Sequence, residues 1–83
     1  MLNDLIVCRS LTYAQRTAAV LKQAGVTAWL TRTPREISGT GCGYSVGIPR
    51  HSTDLAAEVL RQNRMEPRIY RAESSGRYRE VVL

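Results

Sequence analysis

The residues of this chain best suited to chemistry meet in one segment, "TPREISGTGCGYSV", Thr33 through Val46. Cys42 stands there between Gly41 and Gly43, with Arg32 and Arg35 shortly before it. A cysteine kept for packing belongs inside a strand or helix, and this one sits where the chain reads as irregular. A thiol reacts as its thiolate, and an unperturbed cysteine, with a pKa of about 8.5, is ionised to only a few per cent at neutral pH. Guanidinium charge and convergent backbone N–H groups favour the anion. Arg35 supplies such a charge. Gly39, Gly41 and Gly43 remove bulk around the sulfur and permit left-handed backbone angles in which N–H groups converge. Glu36 can orient Arg35 or an amine on a partner. An exposed thiol of this kind suits sulfur transfer, in which a terminal sulfur must reach another protein. A turn with an incidental cysteine fits the same spacing, so Gly-Cys-Gly alone decides nothing.

The remaining reactive types are sparse. Cys8 lies in the apolar run "LIVC" and reads as a small packed hydrophobe, with a redox partnership to Cys42 as the alternative. His51 is the one histidine, and it serves as a base for Cys42 only if the fold brings the two together. Two cysteines and one histidine, far apart, give no zinc spacing. Trp29 and Tyr44 offer rings for stacking but read first as sheet packing. Arg68, Arg71, Arg77 and Arg79, interleaved with Tyr70 and Tyr78, allow an RNA-facing surface. No RNP-type aromatic signature accompanies them, the chain has no Phe, and Glu66, Glu73 and Glu80 break up the basic field. A solvated mixed-charge face is the plainer reading.

The elements that must position these groups follow from pattern. Leu5–Cys8 reads as a central strand. Thr12 with Gln15 fits a capping box, Gly25 fits the position after the helix, and Ala14, Thr17, Ala18, Leu21 and Ala24 form its buried stripe. Val26–Thr31 reads as a second strand, Pro34 opens a loop to Gly43, and Tyr44–Ile48 is a third strand ended by Pro49. Ser52 or Thr53 caps a second helix whose apolar face is Leu55, Ala56, Val59 and Leu60. Pro67 prevents its continuation. Arg68–Ala72 is a fourth strand, "ESSG" a turn, and 77–83 a fifth strand or ordered tail. The order β-α-β-β-α-β predicts an α+β, ferredoxin-like two-layer sandwich with an extra C-terminal segment over 73–83.

The 83 residues are one small domain, residues 1–83, with the motif loop at 33–43. A hydrophobic fraction of 43% argues against disorder. No apolar run approaches a membrane span, and the acid in "MLNDLIVCRS" is unlike a secretory leader, which points to the cytoplasm and to reduced thiols. The net charge of +5 rests on eleven Arg and one Lys. Arginine's planar fork suits oxyanions, although a coding bias gives the same count.

The segment Thr33, Pro34, Arg35, Glu36, Ile37, Ser38, Cys42, Gly43, following a unit that begins "LIVCRSLTYAQRTAAVLKQAGV", resembles the small bacterial Se/S carrier-like family. The match runs from about Leu5 to Ile48, and P-R-E-I-S…C-G is its most specific part. Thr31-Arg32 departs from the family, which often has an earlier proline there. The resemblance implies a sulfur or selenium carrier without its own turnover. Cys42 accepts a persulfide, Arg35 and the Gly41 and Gly43 backbone stabilise the anion, and Pro34, Glu36 and Ser38 shape the loop. A cysteine desulfurase or similar donor and an acceptor enzyme are the implied partners, with no metal or organic cofactor. The alternatives are an RNA- or protein-binding module using the Arg/Tyr surface, and an interaction domain docking through "PREIS". A homodimer is compatible with an exposed sheet edge.

Overall fold

In the computed structural model, residues 3–38, 43–73 and 75–82 are described, with the backbone alone at Ser38. Five strands form the sheet: β1 (Asn3–Val7), β2 (Trp29–Arg32), β3 (Tyr44–Pro49), β4 (Ile69–Ala72) and β5 (Tyr78–Val81). Helix α1 (Leu11–Gln23) joins β1 to β2, the short α2 (Arg35–Ser38) lies between β2 and β3, and α3 (Thr53–Gln62) joins β3 to β4. The strand order is β2-β3-β1-β4-β5, every pairing antiparallel. Strands β1 and β2 therefore run the same way with β3 between them, and β3 and β4 run the same way with β1 between them. The α+β expectation holds, β1 is central as read, and the C-terminal segment supplies a fifth strand at the β4 edge.

Alternation divides the sheet into two faces, because paired residues point the same way. One row, Leu30, Val46, Ile6, Ile69 and Val81, crosses all five strands. Its three central members are buried to 2% exposure or less, in a core shared with Ala14, Ala18 and Leu21 of α1 and Ala56, Ala57 and Leu60 of α3. The neighbouring row, Trp29, Gly47, Leu5, Tyr70 and Glu80, lies on the opposite face. There Trp29, Leu5 and Tyr70 stay half-buried.

Trp29 crosses Gly47 so closely that a Cβ on Gly47 would sit 2.4 Å from the indole. We expect Gly47→Ala to push the indole off β3 at a cost of about 1–3 kcal/mol. The single tryptophan reports it directly, as a red-shifted emission and a lower urea midpoint.

Both long helices end in the same device. After α1, Gly25 sits at φ 81, its N–H donating to Lys22 O while Val26 N–H donates to Leu21 O. After α3, Arg64 N–H donates to Arg61 O and Met65 N–H to Leu60 O, but the left-handed position, φ 59, is held by arginine. At the start of α1 the cap is Ser10, whose Oγ accepts from Tyr13 N–H at 3.1 Å. The capping box read at Thr12 and Gln15 does not form, because the helix already begins at Leu11.

Helix α3 buries Ala56, Val59 and Leu60 as read, but Thr53 and Ala57 join them and Leu55 is 52% exposed. The cause is a buried polar cluster at the far end of β1. Asp4 has no exposed surface. It accepts from Arg71 Nε at 3.0 Å and Nη2 at 2.8 Å, and from the Thr53 hydroxyl, with Arg50 Nε 3.4 Å away. Binding Thr53 to Asp4 sets the rotation of α3. Arg71 thus has a buried partner, where the sequence suggested a solvated face. Arg79 does face solvent, paired with Glu73 at 3.0 Å.

Candidate functional site

The β1–β3 pairing decides what surrounds the motif loop. Val7 pairs with Ser45, and Cys8 N–H donates to Tyr44 O at 3.3 Å, so the start of β3 lies beside the turn from β1 into α1. Val7 N–H donates to Arg68 O, which places the α3–β4 connection at the same end. Arg32, the last residue of β2, pairs with Tyr44. Arg9, Arg16, Arg32, Arg35, Arg61, Arg64 and Arg68 belong to the elements and turns gathered at this end, against Glu36 and Glu66. Seven of the eleven arginines therefore share one end of the sheet, a strongly cationic surface.

The stem of the loop is clamped. Thr33 N–H donates to Gly43 O at 2.7 Å, and the Thr33 and Ser45 hydroxyls, both buried, bond to each other. Between these anchors Pro34 is half-buried and starts the short helix α2, where Ile37 N–H returns to Pro34 O at 3.0 Å. The sequence reading made this stretch an irregular loop; part of it is one helical turn. Arg35 and Glu36 project from that turn and are exposed, and among the described residues neither makes an ion pair. Gly39 to Cys42, with Gly41 among them, lie outside the described residues.

The missing side chain of Gly43 leaves room for Arg32: a Cβ there would stand 3.3 Å from Arg32 Nη1. The Arg32 guanidinium also lies over the Tyr44 ring, 5.3 Å from its centroid. The cation held against the residue following Cys42 is thus Arg32, which the motif did not single out. Its signal was strand register, since residue 32 ends β2 directly opposite residue 44.

Other candidates separate. His51 follows Pro49 at the far end of β3, about 20 Å of strand from Gly43; its pairing with Cys42 involves a residue outside those described. Trp29 and Tyr44 stand on opposite faces and form no common stacking surface. Cys8 is 3% exposed within the core, its Sγ 3.5 Å from Ile6 O and 3.9 Å from Thr17 Oγ1, as the packing reading expected. A Cys8–Cys42 disulfide involves a residue outside those described. Among the described residues no group of His, Cys, Asp or Glu is placed to hold a metal ion, and no helix is long and apolar enough to cross a membrane.

A family model described as "Putative Se/S carrier protein-like" matches residues 3–71, from the start of β1 through Arg71. The chain belongs to this family. The match extends past the motif loop to both partners of the Asp4–Arg71 bridge, so the Se/S carrier-like unit takes in α3 and most of β4. No curated protein and no solved structure matches the chain.

Proposed function

We propose that this protein is a sulfur or selenium carrier that works in the cytoplasm through the thiol of Cys42. The observation that carries the reading is the clamped loop stem beside Arg32, in a member of the Se/S carrier-like family whose P-R-E-I-S…C-G segment spans that stem. Arg32 and Arg35 lend positive charge to the segment and so favour the thiolate. Pro34 starts the turn that ends at Ser38. The split pairing of β1 with β2 and of β3 with β4 supports a ferredoxin-like assignment, in which the βα and ββ connections meet at one end of the sheet.

The transfer balances without an external oxidant. The Cys42 thiolate attacks the terminal sulfur of a donor cysteine persulfide, such as that of a cysteine desulfurase. A new S–S bond forms on Cys42, the donor's S–S bond breaks, and the donor leaves as a thiolate. An acceptor enzyme's nucleophile then takes the terminal sulfur and returns Cys42 to the thiolate. The cationic end of the sheet suits acidic surfaces on both partners.

The test is loading by a cysteine desulfurase and free cysteine, read by intact mass. One added sulfur is expected on the native chain and none on Cys42→Ser. Equal labelling of both would move the acceptor elsewhere and end the carrier reading.

A second reading keeps one observation of its own. Trp29, Leu5 and Tyr70 line the helix-free face, and Arg68 stacks on Tyr70 at 5.9 Å while bonding its hydroxyl at 3.1 Å. Aromatic rings with arginine on an open sheet suit unstacked bases. That reading predicts salt-sensitive quenching of Trp29 by single-stranded RNA, unchanged in Cys42→Ser.

A further inference from the structure

A cleft of about 590 Å³ opens at the cationic end, between the first turns of α1 and the turn that follows α3. Arg9, Arg16 and Arg64 are among the residues that line it, and Glu66 is the one acidic residue among them. Thr12 adds a hydroxyl and Tyr13 a half-buried ring, on which Arg9 lies 5.3 Å from the centroid. The first turn of α1 carries no acidic residue. The wall is therefore net positive, with an aromatic surface beside the charges.

Arg64 is the informative member. It occupies the left-handed position of a helix-ending motif in which the other long helix uses Gly25. A side chain at φ 59 is strained where glycine is not. Helix termination needs no side chain there, so the arginine comes at a cost to the fold, and Arg64 lines the cleft. Guanidinium forks pair bidentately with phosphate oxygens, and three of them against one carboxylate match a dianion better than a single carboxylate ligand.

We infer that the cleft bordered by Arg9, Arg16 and Arg64 is a binding site for the phosphate group of a small molecule, with the Tyr13 ring flanking the remainder of the ligand. The site stands whether or not Cys42 carries sulfur. It also lies where the chain enters β3, since Arg9 follows Cys8 and Cys8 bonds Tyr44. A phosphorylated ligand held there would be beside the motif loop.

The experiment is an amide-shift titration of the full chain with inorganic phosphate, against sodium chloride at equal ionic strength. Saturable shifts confined to residues 9–13 and 64–66 are expected, with a dissociation constant in the millimolar range for the bare ion. Arg64→Gly should weaken binding by about tenfold or more while its melting temperature stays level or rises by a few degrees, since the strain is gone. Arg16→Gln gives a second, strain-neutral loss. Equal responses to phosphate and chloride would overturn the site, as would unchanged affinity in both variants. A ten-nucleotide single-stranded RNA is the third arm. If it binds tightly with a steep salt dependence while phosphate alone does not shift the cleft, the surface reads a nucleic-acid backbone and the small-molecule proposal falls.

Discussion

Replacing Asp4 with alanine is expected to remove about 3–5 kcal/mol of folding stability, the largest effect of any single substitution considered for this protein. A domain of this length has roughly 4–12 kcal/mol in total, so the loss is about a quarter of it or more. The reason is the company Asp4 keeps. Its loss strands the Arg71 guanidinium, frees the Thr53 hydroxyl and removes the counter-charge facing Arg50. Urea denaturation measures the change. Removing both ends of the main bridge, with Asp4→Leu and Arg71→Met together, should recover much of the loss, because a well-packed apolar pair avoids the uncompensated charge. An Asp4→Ala variant within about 1 kcal/mol of the native chain would show that the cluster does not hold the sheet to α3.

The same cluster sets an acid limb on stability. Burial pushes the Asp4 carboxyl up, but hydrogen bonds from Arg71 and Thr53 and the charges of Arg71 and Arg50 outweigh it, and the group sits below its ordinary value. A folded-state pKa below the unfolded one means the contribution is present above the unfolded pKa, about 3.9. It is lost as pH falls through the lower folded-state value. Unfolding free energy measured from pH 6 downward should drop below about pH 4, and that drop should be shallower in Asp4→Asn.

The second large effect is expected at the thiol. The rate of Cys42 alkylation by iodoacetamide, followed against pH by mass spectrometry, should titrate below the free-thiol value of about 8.5, with buried Cys8 as the protected control. Arg32→Gln should move the midpoint upward by about one pKa unit and slow labelling at neutral pH several-fold. Arg35→Gln should shift it less. The distinction comes from position: Arg32 is held against Gly43 and Tyr44, whereas Arg35 stands on an exposed turn without an ion-pair partner among the described residues. A native midpoint at or above the free-thiol value would remove the electrostatic basis of the carrier reading. Equal shifts from the two arginines would mean that diffuse charge, rather than Arg32 in particular, acts on the sulfur.

Local signals made much of this chain legible from its letters. The apolar run at β1, the Ala14, Thr17, Ala18 and Leu21 stripe of α1, Gly25 at its end and Pro67 ahead of β4 each act within a few residues, and the structure keeps them, with β1 shifted to Asn3–Val7 and Ala24 left exposed. The P-R-E-I-S…C-G segment identified the family in the same way, since a motif is itself a local pattern. Tertiary pairing decided the rest. The Asp4–Arg71 bridge spans 67 positions, and only the β1–β4 register reveals that an acid ahead of an apolar run points into the core. Thr53, bound to Asp4, joins the buried face of α3 and Leu55 faces water, although Ala56, Val59 and Leu60 are buried as their spacing required. Arg32 reaches the residue after Cys42 because β2 and β3 pair as a hairpin, whereas His51 is removed from it by the length of β3. The gathering of Arg9, Arg16 and Arg64 around one cleft depends on two crossovers returning to the same end of the sheet, which no spacing in the sequence encodes.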